Sequence, residues 1–312
     1  MQCALERYAI VGRITMEKLA EIIKRLWPLS DVGIGDLQDS QGAAVYRLRT
    51  NQGAFMLKVL ASSIDAKRAN RYIHVLDFLN KCNFPAPRVL ATRDGRFLSN
   101  WKGRYIYILL YIEGRTVEES EKEEYELGRV ASRLHAITDY PYQTSLVTKT
   151  ILLSRLNGSH IKTEYDKLIL SLPDFSKDSQ VLIHTDLCPS NAIWTQDGTV
   201  MLIDFDDAGM GAKSLDIGYP LFTQFIDYEG RLPRQAPKQG SKLYFKENVA
   251  RAFYAGYFAN TTLNSDEKEL IFDGALFRML EELAYLPSEA LDFRWKHIQY
   301  ALDNKENILR AM

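Results

Sequence analysis

The chain has few features of an exported or membrane-embedded protein. Its 312 residues include only three cysteines, at positions 3, 82 and 188, and their spacing fits neither a disulfide framework nor a zinc site. No apolar run approaches the roughly 20 residues that a membrane-spanning helix needs. The N-terminus carries Glu6 and Arg7 where a signal peptide would have an apolar core. These absences predict a cytoplasmic protein without a membrane partner.

The chain also lacks an excess of charge of either sign. With 39 basic and 40 acidic residues its net charge is -1, so it has no overall field that would attract nucleic acid or anionic lipid. A composition of 46% hydrophobic and 25% charged residues is ordinary for a globular protein, and 312 residues can bury two cores. We therefore predict a folded protein that does not bind nucleic acid, and its oligomeric state stays open.

Three polar residues lie at the ends of two neighbouring apolar runs. Asp186 and Asn191 follow the first run, and Asp204 ends the second. The pair Asp197-Gly198 between the runs is the strongest short-range signal for a hairpin turn. Such a hairpin would bring Asn191 beside Asp204. Charged groups in these positions are costly unless a ligand or a metal meets them.

The spacing of these residues is typical of phosphoryl transfer. A carboxylate five residues before a carboxamide fits on one loop, where Asp186 orients an attacking hydroxyl and Asn191 turns towards Mg²⁺. Asp204 then takes the second metal position, at the nucleotide phosphates. Because Asp186 already serves as the base, His184 is expected to brace the loop through hydrogen bonds to the backbone. A purely structural interpretation explains Asp197 as a turn former but leaves the strand-end positions unexplained.

From His184 to Asp207 the sequence resembles the catalytic core of aminoglycoside phosphotransferases, type II homoserine kinases and choline-kinase-like enzymes. The resemblance covers roughly residues 30 to 225. It implies an α+β, protein-kinase-like two-lobe fold, with a small sheet-rich N-lobe over 1–110 and a larger helical C-lobe over 111–312. It further implies an ATP- and Mg²⁺-dependent kinase that transfers the γ-phosphate to a hydroxyl of a small metabolite or antibiotic.

The same resemblance assigns residues to the nucleotide. The run 54–60 resembles the third strand of the fold, whose lysine, here Lys58, holds the α- and β-phosphates. A lysine that faces inward from an apolar strand also needs an anionic partner, which a phosphate supplies. The main chain at Leu110 and Ile112 is the expected adenine contact. The phosphate-covering loop falls at 37–42 and contains a single glycine.

The sequence departs from the family at the expected partner of Lys58. Kinase-like lysines pair with a glutamate on the next helix, and the corresponding stretch contains none. Either Asp65 or Asp77 replaces it, or the pairing is absent. The departure leaves open a nucleotide-binding pseudokinase with a regulatory role. A metal-dependent hydrolase built around His184 and Asp186 is a further alternative, although the other histidines are not paired at ligand spacing.

Two features favour a small acceptor without multiple positive charges. Only 12 positions separate Asp204 from Asp216, which is too few for a segment on which a peptide could dock. The segment 231–242 adds four basic residues, whereas Asp206 and Asp207 either face a cationic substrate or solvate a loop. We expect a neutral or zwitterionic hydroxyl compound, such as a sugar, an amino alcohol or a hydroxy amino acid.

Hydrophobic periodicity predicts most of the secondary structure. The predicted elements are a helix over 16–26, strands over 43–50, 53–60 and 105–112, a helix containing 73–79, and helices from 242 nearly to the end. Thr116 and Glu119 are predicted to form a capping box that opens a helix running to about His135. Asp216 is predicted to cap the following short helix and to hold the backbone of the catalytic loop. Cys188 is predicted to be a small packing residue.

Overall fold

The computed structural model describes residues 16–38, 43–144, 147–230, 240–259 and 263–312. The chain divides into two compact units, Met1–Glu113 and Gly114–Met312. No helix in the described ranges is both long enough and apolar enough to span a bilayer.

The described part of the first unit combines an antiparallel sheet with two helices. Its elements are α1 (Met16–Leu26), β1 (Gly33–Gln38), β2 (Ala43–Thr50), β3 (Gly53–Leu60), α2 (Ala66–Lys81), β4 (Val89–Leu90), β5 (Ser99–Trp101) and β6 (Arg104–Leu110). The strands follow the order β1-β2-β3-β6-β4, and β5 also pairs with β6. The helix and the hairpin predicted over 16–26 and 43–60 are confirmed, whereas the strand predicted over 105–112 already ends at Leu110.

Side chains along the strands of this unit alternate between the two faces of the sheet, and each face packs into its own apolar cluster. One cluster joins Leu19, Ile23 and Trp27 to β3 and β6 through residues such as Leu57 and Ile108. The other joins helix α2 to the same two strands, and it includes Leu60 and Tyr107. Leu57 and Val59 of β3 belong to the first cluster. Because successive side chains of a strand point to opposite faces, Lys58 between them lies on the face of the second cluster.

The second unit is mainly helical, and its described strands form three small antiparallel sheets, β10-β9-β7, β11-β8 and β12-β13. Its elements are β7 (Gly114–Thr116), α3 (Glu121–His135), α4 (Lys149–Leu153), α5 (Lys162–Ser171), β8 (Gln180–Ile183), β9 (Ala192–Thr195), β10 (Val200–Leu202), β11 (Gly209–Ala212), α6 (Lys213–Gly218), a π-helical turn (Leu221–Phe225), β12 (Ile226–Tyr228), β13 (Leu243–Phe245), α7 (Glu247–Tyr257), α8 (Ser265–Leu283), α9 (Ser288–Asp303) and α10 (Lys305–Ala311).

Glycines allow two helix pairs of this unit to approach backbone to backbone. A Cβ at Gly128 of α3 would overlap the carbonyl oxygen of Phe253 in α7. Similarly, a Cβ at Gly218 of α6 would lie 2.6 Å from the backbone nitrogen of Ala275 in α8. Gly274 makes the reciprocal approach from α8 to α6. The short helix α6 is therefore fixed closely against α8.

The capping box predicted at Thr116 and Glu119 is wrong. Thr116 belongs to β7, and helix α3 begins later, with Ser120 as its N-cap; the Ser120 side chain accepts a hydrogen bond from the amide of Glu123 at 3.4 Å. The carboxylate of Glu123 instead binds Arg115 and accepts a hydrogen bond from the amide of Glu118 at 2.8 Å. The backbone of Thr116 is paired with β9, so Thr116 is not at the start of α3 and does not cap it.

Candidate active site

Asp186 and Asn191 lie on one loop and contact each other. Nδ2 of Asn191 donates to Oδ2 of Asp186 at 2.7 Å and to its backbone oxygen at 3.0 Å. These hydrogen bonds use Nδ2 of Asn191, and the amide oxygen Oδ1 of the same side chain is an acceptor. The Asp186 side chain is exposed at the surface of its unit. Burial and then the charge of Asp186 raise the pKa of Cys188 to about 12, so this thiol stays protonated and fits the predicted packing role.

The predicted hairpin that joins the loop to Asp204 is confirmed. Strands β9 and β10 pair in antiparallel register, with Ala192 opposite Leu202. The turn contains Gly198 with φ of 80°. Beyond the paired strands, the amide of Ile203 donates to the backbone oxygen of Asn191 at 2.9 Å. Asp204 follows directly, exposed and with φ of 65°, so the hairpin ends with these two candidate metal-binding residues on adjacent strand ends.

His184 braces this arrangement, as the sequence predicted. The side chain is fully buried. Its Nε2 lies 2.8 Å from the backbone oxygen of Ile203, and its Nδ1 accepts a hydrogen bond from the amide of Asp186 at 3.3 Å. Because both ring nitrogens are engaged by backbone groups, the histidine ties the catalytic loop to the end of β10. The same contacts argue against the alternative in which His184 is a metal ligand of a hydrolase.

Asp216 holds the loop from the interior of the second unit. Its carboxylate accepts hydrogen bonds from the amides of His184 at 2.8 Å and Thr185 at 2.7 Å. Burial would raise the pKa of Asp216, but the hydrogen bond and the charge of His135 outweigh burial and hold the pKa below its usual value. The predicted role in holding the loop is confirmed. The predicted helix cap is wrong, because Asp216 lies inside α6, whose N-cap is Ala212.

Two residues of this network were not assigned a role from the sequence. Nε2 of His135, at the end of α3, lies 2.9 Å from Asp216, and its Nδ1 lies 2.6 Å from the hydroxyl of Tyr257. Arg278 of α8 donates to the backbone oxygen of Thr185 at 2.8 Å. In the sequence, His135 was predicted only as the approximate end of its helix. No prediction was made for Arg278.

The oxygen donors at the end of the hairpin suit a hard divalent cation. Mg²⁺ binds proteins through one or two carboxylate or carbonyl groups and keeps water and phosphate oxygens as its other ligands. Oδ1 of Asn191 and the carboxylate of Asp204 provide such a donor set. Among the residues that the structure describes, no cluster of three or more His, Cys, Asp or Glu could hold a metal ion.

Lys58, Leu110 and Ile112 lie in the first unit. Lys58 is buried, with 7% of its surface exposed, and it is paired in register with Tyr107 of β6 on the face that α2 covers. The amide of Leu110 donates to the backbone oxygen of Arg88 at 2.9 Å. Ile112 is half-buried just after β6.

The two aspartates considered as partners for Lys58 have other contacts. Asp65 is the N-cap of α2 and accepts a hydrogen bond from the amide of Arg68 at 2.8 Å. Asp77 pairs with Lys81 at 2.7 Å. Helix α2 itself contains no glutamate. Residues 39–42 of the predicted phosphate-covering loop and residues 231–239 of the basic segment lie outside the described residues.

Comparison with known proteins identifies the family. Residues 36–242 match the phosphotransferase enzyme family, APH. The chain belongs to this family. It is 25% identical over 259 residues to a homoserine kinase of Methylobacterium radiotolerans, a match that covers 77% of each chain. Like the kinases of its family, the protein is a small-molecule phosphotransferase with an alcohol group as acceptor, and kinases of this family use ATP.

Solved structures confirm the predicted fold. A microcompartment-associated aminopropanol kinase superposes with a TM-score of 0.65 at 16% identity, covering 95% of this chain and 100% of the other. A spectinomycin phosphotransferase in complex with ADP and spectinomycin gives a TM-score of 0.57 at 13% identity, covering 95% and 96%. This phosphotransferase thus has an α+β, protein-kinase-like fold, with an N-terminal antiparallel sheet and a helical C-terminal region.

Proposed function

We propose that the protein transfers the γ-phosphate of ATP, with Mg²⁺, to the hydroxyl of a small zwitterionic or neutral metabolite. The contact between Asp186 and Asn191, at the base of a hairpin that ends in Asp204, carries this proposal. The proposed base and one proposed oxygen ligand are in direct contact, and the second proposed ligand, Asp204, follows Ile203, whose amide binds the backbone of Asn191. This arrangement supports a role in phosphoryl transfer.

Asp186 orients the acceptor hydroxyl and accepts its proton. Its exposed carboxylate can meet a substrate, and the hydrogen bond from Asn191 limits its rotation. Oδ1 of Asn191 and the carboxylate of Asp204 would hold Mg²⁺. Bound there, the ion would neutralise charge that develops on the transferred phosphoryl group. Lys58 would bind the α- and β-phosphates in the N-lobe, 1–110.

The main chain at Leu110 and Ile112 is the proposed contact for the adenine. The amide of Leu110 donates to the backbone oxygen of Arg88. The carbonyl of Leu110 would accept a hydrogen bond from the adenine amino group. The larger C-lobe, 111–312, would supply the catalytic loop, the metal ligands and the acceptor site. These assignments follow the family resemblance and stay predictions.

A hydroxy amino acid or an amino alcohol is the proposed acceptor. The relatives include homoserine kinases and the structural neighbours include an aminopropanol kinase. Charges of both signs act near Asp186, since the pKa of the neighbouring Tyr219 is raised by burial and by Asp186 and Glu282, and lowered by Arg278. Such a mixed environment suits a zwitterion better than a polycation.

ADP release, coupled to a reporter reaction, tests this proposal. The panel contains homoserine, 1-amino-2-propanol, choline, a hexose and spectinomycin, each with MgATP. We expect homoserine or the amino alcohol to give the highest kcat/KM. Asp186→Asn should lower kcat by roughly 10² to 10⁴ because a positioned base is lost, and MgATP should still raise its melting temperature. An aminoglycoside-type drug as the best acceptor would contradict the acceptor class, and near-native turnover of Asp186→Asn would contradict the role of Asp186.

The same assay separates the enzyme from a regulatory pseudokinase. A regulator would bind MgATP, detected as a rise in melting temperature, and release no ADP with any acceptor of the panel. The lack of a glutamate in α2 is the sequence feature that favours this alternative. Turnover that depends on Asp186 would exclude it.

A further inference from the structure

The residue immediately before Asp186 has a strained backbone. Thr185 has a φ of 75°. A β-branched residue at such a φ is an outlier, because its side chain crowds the backbone. The surrounding structure must hold it. Since the direction of Asp186 depends on the peptide that precedes it, whatever holds Thr185 also aims Asp186.

Two charged side chains hold Thr185 from opposite ends. Its amide donates to Oδ1 of Asp216 at 2.7 Å, and its carbonyl accepts from Arg278 at 2.8 Å. Thr185 itself is buried, with 6% of its surface exposed. Hydrogen bonds to ionised groups are about twice as strong as neutral ones, and they strengthen further away from water. An anion and a cation thus fix both backbone polar groups of one strained residue.

The two clamping residues belong to elements that pack backbone to backbone. Asp216 is in α6 and Arg278 is in α8, and the approach of these helices at Gly218 and Gly274 leaves no room for a Cβ. The distance between the two charges is therefore set by helix packing and not by flexible loops. Pre-organisation of this kind is what a catalytic carboxylate needs.

The guanidinium of Arg278 contacts two groups. Its Nη1 binds Glu281, one turn away on α8, and its Nη2 donates to the backbone oxygen of Thr185. Its plane also lies over the ring of Tyr219, with 5.0 Å between Cζ and the ring centroid. Its Nε is buried without a hydrogen-bond partner among the described residues. An unmet buried donor destabilises a fold, so a purely structural role would favour a different side chain.

We propose that Arg278 is a positioning residue for phosphoryl transfer, which holds the carbonyl of Thr185 and thereby fixes Asp186 towards the acceptor hydroxyl. This inference rests on the proposed role of Asp186 as the base. Arg278 contacts neither nucleotide nor acceptor in this role. Its effect reaches the reaction only through the conformation of the Thr185–Asp186 peptide.

Arg278→Lys tests the proposal with little disturbance of the fold. Lysine keeps a positive charge next to Glu281, but a single ammonium cannot replace the planar fork that reaches both Glu281 and Thr185. We expect kcat to fall roughly 10- to 100-fold, with the KM for ATP within about twofold of native, because a small misplacement of a reacting group lowers the rate but not nucleotide binding. Arg294→Lys is the matched control, since Arg294 pairs with Glu282 at 2.7 Å and does not contact the loop.

A double-mutant cycle with Asp186→Asn separates positioning from a general structural effect. If Arg278 acts through Asp186, adding Arg278→Lys to the Asp186→Asn variant should lower kcat by no more than about threefold. An equal loss in both backgrounds would overturn the proposal, as would a kcat of Arg278→Lys within about twofold of native. Near-native turnover of Asp186→Asn alone would instead contradict the proposed function, so the two failures are distinguishable.

Discussion

A buried glutamate outside the active site should make stability depend on pH. Glu124 of α3 has no exposed surface, and one carboxylate oxygen accepts a hydrogen bond from the side-chain amide of Gln224 in the π-helical turn. The other carboxylate oxygen and the amide oxygen of Gln224 are buried without partners among the described residues. Both of these atoms are acceptors when Glu124 is charged. A proton on the carboxyl turns one of its oxygens from an acceptor into a donor.

The nearby charges also favour a neutral Glu124. Lys246 is the neighbouring cation, and it already pairs with Glu119 and, at 2.9 Å, with Asp227. Burial, followed by the charge of Glu119, raises the pKa of Glu124 to about 9 from an ordinary value of 4.5. Lys246 and the hydrogen bond from Gln224 oppose this shift without cancelling it.

The sign of the effect follows from proton binding. Between pH 4.5 and about 9 the folded protein keeps a proton on Glu124 that the unfolded chain has lost. The free energy of unfolding therefore falls as pH rises through this window, by about 1.4 kcal/mol per pH unit from this group. Glutamine at position 124 stays neutral, and its amide can donate to Gln224. The Glu124→Gln variant should lack this contribution to the slope.

Equilibrium unfolding in urea at pH 5.5, 7.0 and 8.5 measures the effect. At each pH, the free energy of unfolding of the native protein is subtracted from that of Glu124→Gln. This difference should increase by about 3 kcal/mol when the pH rises by two units. Glu126→Gln on the same helix is the control, because Glu126 is partly exposed and pairs with Arg129 at 3.2 Å. Parallel pH profiles of the native protein and Glu124→Gln would refute the assignment of a neutral Glu124.

Three further changes test other parts of the structure. Asp204→Ala should abolish the additional thermal stabilisation that Mg²⁺ gives in the presence of ATP, and an undiminished Mg²⁺ effect would contradict its metal role. Gly274→Ala should lower the free energy of unfolding by about 1–3 kcal/mol and reduce kcat, because its Cβ would overlap the backbone of α6, whereas Gly33→Ala, with its nearest neighbour at 3.8 Å, should do neither. Ser120→Ala should destabilise the protein by about 1 kcal/mol in urea unfolding through loss of the helix cap, whereas Thr116→Ala should be nearly neutral if Thr116 is not a cap.

Local patterns were sufficient to predict the hairpin and the loop of the active site. The Asp197-Gly198 turn between apolar runs fixed the pairing of β9 with β10 in the prediction, and the structure has that pairing. The contact between Asp186 and Asn191 spans only five residues. Such interactions are encoded by neighbours in the sequence, so periodicity and turn chemistry can reveal them.

The remaining parts of the site depend on contacts between distant residues. Arg278 reaches Thr185 across 93 positions of the sequence, and an arginine within a helix has no local signature for that contact. The error at Thr116 has a similar origin. Its sequence resembled a capping box, but pairing of β7 with Ile193 and its neighbours on β9 placed Thr116 in a strand. Tertiary pairing outweighed a local preference of about 1 kcal/mol.

Two residues of the candidate active site have a strained backbone, and buried charged side chains hold one of them. Thr185 and Asp204, with φ of 75° and 65°, adopt conformations that favour glycine, and each adjoins or is a residue proposed for chemistry. Glycine at these two positions would relieve the strain, but it would also make the backbone that orients the neighbouring side chains more flexible. Charged hydrogen bonds instead hold the strained peptide at Thr185, whose amide donates to Asp216 and whose carbonyl accepts from Arg278. The network that contains these charges therefore stabilises one conformation of the catalytic loop against its own backbone preference, which is what positioning a base requires.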